Sequence, residues 1–305
     1  MNSDHYKSEY GLRVKHIFMQ GWRMSKNILV TIETLLTSFT KTEKKIAEFV
    51  LKNHKKVIYM SLTELSDQLS VSEGSIVRFC QKLDLKGFHP FKILLAAVTS
   101  DENNTDEIYS KMESGDLNSL KEYLARKNIE VINNTRDMIK SDSLQRCVDM
   151  ILKSKNILIA GVGSSGNTSQ DAFYKFMRMG FNCRTSSDPH ILAMMASQLK
   201  KGDLLLAISQ SGSTLEIVDI SNIVKKSGAK VISITGYSRS PLEKYSDEVL
   251  LTPTREAPYE SGALRSKIAQ LYVLELLVTA VYNQNREFSE KNIEKTADSV
   301  KNWIY

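Results

Sequence analysis

Long apolar runs are missing from this chain. No stretch reaches the roughly 18 residues needed to cross a bilayer, and the longest candidate, around Leu271–Val281, is broken by Glu275. A membrane span is therefore not expected. The N-terminal residues also lack a basic segment followed by an apolar core and a small-residue cleavage site, so no secretory signal is read and the cytoplasm is the expected location. Cysteine is scarce: Cys80, Cys147 and Cys183 are odd in number, far apart and in no C-x-x-C arrangement. This argues against a disulfide framework and a zinc site, and makes all three packing residues. No metal or cofactor is expected. There is no G-x-x-x-x-G-K-S/T either, which speaks against a P-loop nucleotide site.

Charge of one sign is almost absent as a net quantity outside the first third. Residues 1–100 hold 15 Lys and Arg against 9 Asp and Glu, while the remaining 205 hold 26 of each, so the whole net charge of +6 sits in the first hundred residues. Four of the five histidines, His5, His16, His54 and His89, lie there too. Such asymmetry suits an N-terminal part that faces a polyanion and a neutral globule behind it.

At 305 residues with 42% hydrophobic content, the chain is long enough for two ordinary globular domains. Residues 1–25 show no sustained apolar period and stay an unassigned extension. From Ile28 to about Val98 apolar residues recur at helical steps, and no proline interrupts them until Pro90. Residues 26–98 therefore read as an all-helical unit. The polar stretch Thr99–Thr105 (TSDENNT) opens a linker assigned to residues 99–115. Residues 116–305 form the second domain, led by helices at about Asp116–Ile139 and Asp142–Lys153.

The texture then changes. Short apolar runs at Asn156–Ala160, Asn182–Thr185, Asp203–Ile208, Lys230–Thr235 and Glu248–Leu251 alternate with helical segments such as Ser169–Met179 and Glu216–Lys226. Continuous apolar strands alternating with helices imply a doubly wound α/β domain with a parallel sheet covered on both faces. Ligands of such folds bind beyond the carboxyl ends of the strands, which directs attention to the residues after Ala160 and after Ile208.

Those residues are Gly161-Val162-Gly163-Ser164-Ser165-Gly166 and Ser209-Gln210-Ser211-Gly212-Ser213-Thr214. Each loop offers backbone N–H groups at a helix start together with hydroxyls, a combination suited to phosphate or sugar. Ser213 and Thr214 also suit plain N-capping. Gly161-x-Gly163-x-x-Gly166 matches the dinucleotide fingerprint as well. That motif expects an acid about 20 residues on, at the end of the second strand, whereas here the first acid is Asp188, beyond it. The second serine loop has no role in that scheme.

The span from about Asn156 to Val281 resembles a sugar isomerase (SIS) domain, on the strength of GVGSSGNTS, LLLAISQSGST and KVISITG. The resemblance implies that Ser164, Ser165, Ser209, Gln210, Ser211, Ser213 and Thr214 clasp a sugar phosphate. It also implies that Gly163 and Gly212 let the backbone approach, with Glu256 and Ser261 reaching sugar hydroxyls.

In the basic part, Thr40-Lys41-Thr42-Glu43 fits a capping box opening a helix to about Asn53, with Ile46, Ala47, Phe49 and Val50 inward. Ser61 caps Leu62–Leu69, with Leu62, Leu65 and Leu69 on one face. After the turn Ser70-Val71-Ser72 comes a third helix, Glu73–Leu83, burying Ile76, Val77, Cys80 and Leu83. Two short helices joined by such a turn make a helix-turn-helix, whose second helix can enter the major groove. Ser61, Ser72, Glu73, Ser75, Arg78, Lys82 and Lys86 are the expected DNA-binding residues, Arg78 reaching a base or phosphate. Phe88 is expected in the core. SLTELSDQLSVSEGSIVRFCQKLDLKGFHPFK is similar to the DNA-binding domain of the RpiR family of bacterial regulators, which joins such a domain to a C-terminal SIS domain in this order.

The resemblance implies a transcriptional regulator of carbohydrate genes that binds double-stranded operator DNA and responds to a phosphorylated sugar. A homodimer or homotetramer is expected, because two recognition helices must meet a pseudo-palindromic site. The alternative is an aldose/ketose phosphate isomerase. That chemistry needs an acid/base pair; His190 is the only histidine after residue 100, and Glu256 is the best carboxylate. The long segment Leu264–Tyr282 is apolar round most of its circumference and reads equally as interface or as core.

Overall fold

The computed structural model describes residues 27–96, 98, 116–253 and 264–303. The described residues fall into two compact units, the first holding residues 27–32 and 41–98 and the second 33–40 and those from 116 on.

The first unit is helical. After α1 (Ile28–Leu35) comes α2, Lys41–Val57, which buries Ile46, Ala47, Val50 and Val57. The expected end at Asn53 is a kink instead: Asn53 sits at φ −131°, ψ 23°, its side chain donates to Phe49 O at 2.9 Å, and the chain resumes to Val57. Phe49 is only half-buried. Helix α3 spans Leu62–Leu69 between Ser61 and a left-handed Ser70 at φ 47°. Its start is a full capping box, in which the Ser61 hydroxyl accepts from Glu64 N–H and the Glu64 carboxylate accepts from Ser61 N–H. Helix α4, Glu73–Lys82, buries Ile76, Phe79 and Cys80, with Leu83 as its C-cap. Phe79 takes the core place assigned to Val77, which is half-buried. Residues 88–96 form α5. Phe91 meets Phe79 edge-on at 5.9 Å, and Phe88 lies 6.1 Å from Phe91. Burying Phe79 and Phe91 fully stabilises this small unit by about 1.5–3 kcal/mol each.

The second unit opens with α6 (Leu117–Met138) and α7 (Ser141–Lys153). Five parallel strands follow: β1 Ile157–Gly161, β2 Cys183–Arg184, β3 Leu204–Ile208, β4 Lys230–Thr235 and β5 Glu248–Leu251, in the order β2-β1-β3-β4-β5. Between and after them run α8 (Ser164–Arg178), α9 (Pro189–Ala196), α10 (Leu215–Lys226), α11 (Leu264–Gln284) and α12 (Arg286–Asp298). Every residue of β1 and β3 is buried, and alternate residues serve opposite faces. Ile157, Ile159, Leu204, Leu206 and Ile208 pack with Phe176, Val273 and Leu277. Leu158, Ala160, Leu205 and Ala207 pack with Leu192, Ile217, Ile220 and Val224. Helix α11 contributes Val273, Leu274, Leu277 and Val281 to the first of these cores, so this apolar face is interior.

Candidate functional site

The order of the sheet fixes where a ligand can sit. From β1 the chain crosses outward to β2 and then returns to β3 on the other side of β1, so β1 and β3 flank the switch point where open α/β sheets bind ligands. Gly161 pairs with Ile208 in register, which sets the two serine-bearing turns side by side.

The first turn is shorter than its sequence suggests. Helix α8 already begins at Ser164, with Gly163 as N-cap at φ 60°, ψ −129°. Ser164 and Ser165 are thus the first helical residues, where N–H groups lack intrahelical acceptors and favour an anion. Ser164 is half-buried and Ser165 is buried. Around Gly163 an added Cβ would meet nothing, so glycine is required there by its backbone angle alone.

In the second turn, capping is not what the hydroxyls do. Thr214 is the N-cap of α10 but makes no side-chain cap; its hydroxyl lies 3.0 Å from Ser209 Oγ and 3.4 Å from Ser211 Oγ. Ser211 Oγ accepts from Ser213 N–H at 3.1 Å. Ser211 and Ser213 are exposed and Ser209 is buried. Gly212, at φ 60°, is demanded by its protein surroundings: a Cβ would stand 2.3 Å from Ser240 Oγ and 2.7 Å from Thr235 Oγ1.

What sequence reasoning missed is the group that joins the turns. Gln270 of α11, 1% exposed, donates to Ser165 Oγ at 3.1 Å and to Gln210 Oε1 at 3.4 Å. The available signal was a glutamine at helical spacing with Ser266, Val273, Leu274 and Leu277 on the buried stripe. Glu256 and Ser261 lie outside the described residues. Asp188 caps α9 by accepting from His190 N–H at 2.7 Å. His190 is exposed. No group of His, Cys, Asp and Glu among the described residues could hold a metal.

On the first unit, Ser72 caps α4 by accepting from Ser75 N–H at 3.2 Å. The side chains of Ser72, Ser75 and Arg78 form a row: Ser72 Oγ lies 2.9 Å from Ser75 Oγ, which accepts from Arg78 Nη2 at 3.2 Å. The guanidinium is thereby held along the outer face of α4. Two further expected DNA contacts are tied to other helices of this unit. Glu73 accepts from the Thr63 hydroxyl at 2.6 Å, and Lys82 pairs with Glu43 at 2.8 Å. Ser61 is occupied as a cap, and Lys86 is exposed. Phe88 is buried, with Lys92 Nζ 5.8 Å above its ring.

A helix-turn-helix unit followed by an SIS-type sheet is the architecture of a DNA-binding transcriptional regulator. Comparison with known proteins gives the same class. A helix-turn-helix domain of the rpiR family matches residues 26–102, and an SIS domain matches residues 150–280. A protein of Haemophilus influenzae described as an uncharacterized HTH-type transcriptional regulator is 32% identical over 279 residues, covering 90% of this chain and 97% of its own. One of Thermotoga maritima with the same description is 34% identical over 281 residues, covering 92% and 100%. Among solved structures, the Vibrio vulnificus NanR protein complexed with ManNAc-6P aligns with a TM-score of 0.59 and 28% identity, over 90% of this chain and 98% of its own. The chain belongs to the RpiR family of transcriptional regulators. It is a DNA-binding transcriptional regulator, the class its relatives' names give, and no described helix is long and apolar enough to cross a membrane.

Proposed function

We propose that the SIS domain senses a phosphorylated sugar and that its occupancy alters the affinity of the helix-turn-helix domain for operator DNA. The observation that carries this reading is the pair of hydroxyl-rich turns side by side at the β1/β3 switch point. The phosphate is assigned to the N–H groups and hydroxyls of Ser164 and Ser165, beside Gly163, and of Ser211, Ser213 and Thr214. Ser209, Gln210 and Gly212 shape the second turn. Glu256 and Ser261 reach sugar hydroxyls. NanR, whose solved complex holds ManNAc-6P, nominates that compound for the first trial.

On DNA, Arg78 reads a base edge or phosphate while Ser72, Ser75 and Lys86 engage the backbone, with α4 in the major groove. The working form is a cytoplasmic homodimer or homotetramer, since a pseudo-palindromic operator needs two recognition helices about one helical turn apart. The effector acts by binding two conformations of this assembly unequally, as any linked ligand must. A gel shift on the gene's own upstream region tests the reading, with and without glucose 6-phosphate, ribose 5-phosphate and ManNAc-6P. Binding altered by one of the three is expected. No binding to any site at low salt, or binding indifferent to every sugar phosphate, refutes it.

A further inference from the structure

The contacts around Gln270 have a direction that can be traced from a group with no choice. A main-chain carbonyl only accepts, so Gln210 must turn its amide nitrogen to Thr252 O, 2.9 Å away. Gln210 Oε1 therefore faces the other way, where it accepts from the Thr252 hydroxyl at 3.1 Å and from Gln270 Nε2 at 3.4 Å. With its nitrogen committed to that side, Gln270 donates to Ser165 Oγ at 3.1 Å and accepts from the Thr168 hydroxyl at 2.9 Å. Gln270 is 1% exposed and Thr168 0%, so both amide ends are settled by protein partners.

Ser165 receives the end of this chain. A hydroxyl has one proton, and Ser165 Oγ accepts from Gln270, so its own proton is left to donate elsewhere. A phosphate monoester presents acceptors, and a hydroxyl compelled to donate matches it; a free rotor would serve a sugar hydroxyl equally well. We propose that Gln270 is a positioning residue for effector binding, which, oriented by Gln210, makes Ser165 an obligatory donor to the ligand phosphate. This inference rests on the phosphosugar reading given above. It also gives α11 a direct interest in occupancy, because breaking or strengthening the Ser165 contact pulls on a helix otherwise embedded in the core.

Gln270→Glu keeps the shape and changes the polarity. As a carboxylate it only accepts, so it captures the Ser165 proton and sets negative charge beside the phosphate; as a neutral acid it donates and accepts much as the amide does. Titration calorimetry on the full chain, with the tightest binder among ManNAc-6P, glucose 6-phosphate and ribose 5-phosphate, should show at least about a tenfold loss at pH 8. That gap to wild type should narrow as the pH falls to 5. In a Ser165→Ala background the same change should cost distinctly less, because the hydroxyl it redirects is gone and only the charge remains. Gln270→Met, which removes the donor without adding charge, should weaken binding in the wild-type background and not in the Ser165→Ala one, and covers the case in which Gln270→Glu does not fold. Unchanged affinity at pH 8, a gap that ignores pH, or full cost in the Ser165→Ala background overturns the proposal. A wild type that binds none of the three overturns the phosphosugar reading, and this inference with it.

Discussion

Lys82 Nζ stands 2.8 Å from Glu43 Oε2, joining the last turn of α4 to the first turn of α2. A lysine on the outer side of a recognition helix reads, in sequence, as a phosphate contact. Its partner changes the expectation. An ammonium engaged by a carboxylate displaces no counterion from DNA unless that pair is broken. Lys82→Ala should therefore leave the slope of log affinity against log salt unchanged, while Lys86→Ala should reduce it by about 1. The Lys82 variant should instead destabilise the first unit by about 0.5 kcal/mol, since half-exposed pairs contribute little. Gel shifts at several salt concentrations check the slopes, and a reduced slope for Lys82→Ala would return it to the DNA face.

Arg78 and Ser211 separate the two activities. Arg78 is held beside Ser75 on the face of α4, and if it grips a base bidentately, Arg78→Ala should weaken operator binding by about 1–3 kcal/mol. Its effector affinity should not change. Ser211→Ala should do the reverse, abolishing the response while leaving basal DNA binding intact. Fluorescence anisotropy on a labelled operator, with and without the sugar phosphate, reads both effects in one titration.

The cysteines should be chemically quiet. Burial pushes the thiols of Cys80, Cys147 and Cys183 up to about 12, and the thiolate is the reactive form. A thiol reagent at pH 8 should label none of the three in the native protein and all three in denaturant. Rapid native labelling of any one would contradict the packing role read for it.

Much of this architecture was legible because the elements that matter carry strong local signals. β1 and β3 are uninterrupted apolar runs, and both were located to within a residue, as was α3 behind its Ser61 cap. The misses have physical causes. Helix α9 is only eight residues with a weak apolar period, begun by Pro189 and an Asp188 cap that sequence reasoning weighed only as a ribose ligand. Helix α12 buries only Ser289, so nothing periodic announces it. The choice between interface and core for α11 could not be made from one helix, because an apolar stripe looks the same in either setting. In the site, the hydroxyls were legible as a composition, but the Gln270 contact spans more than 100 residues of sequence and needs the fold to exist.

Acid should loosen the second unit at the start of β5. For Asp247, burial raises the pKa, but hydrogen bonds from Lys230, Lys225 and Val231 N–H outweigh it and hold the carboxyl below its ordinary range. For Glu248, the Arg146 guanidinium lowers the pKa foremost, opposed by burial and aided by Ser143. A carboxylate whose folded pKa is depressed lends stability that is complete at neutral pH and is lost as the pH falls below the ordinary carboxylate range. Asp247→Asn and Glu248→Gln should each lower stability at pH 7 and flatten its decline towards pH 3. Denaturant titrations at the two pH values measure this; a decline as steep as wild type would remove these groups from the account.

Gly212 gives the sharpest test of how the second turn is built. At φ 60° an L side chain is already disfavoured, and the Cβ of alanine would lie 2.3 Å from Ser240 Oγ, 2.4 Å from Ser240 Cβ and 2.7 Å from Thr235 Oγ1. One of those atoms is a methylene carbon close to the backbone, so relief requires moving the chain that carries Ser240. That chain is itself tied to the turn, because Leu242 N–H donates to Gly212 O at 2.9 Å. Backbone strain and overpacking, each of about 1–3 kcal/mol, should therefore act together and displace Ser211 and Ser213 from the ligand. Gly163→Ala meets no neighbour and should carry the conformational part alone. Gly212→Ala should accordingly be the less stable of the two in denaturant melts and should lose effector binding by calorimetry, with operator binding retained. Equal stabilities would mean that Ser240 yields freely and that the turn is not clamped.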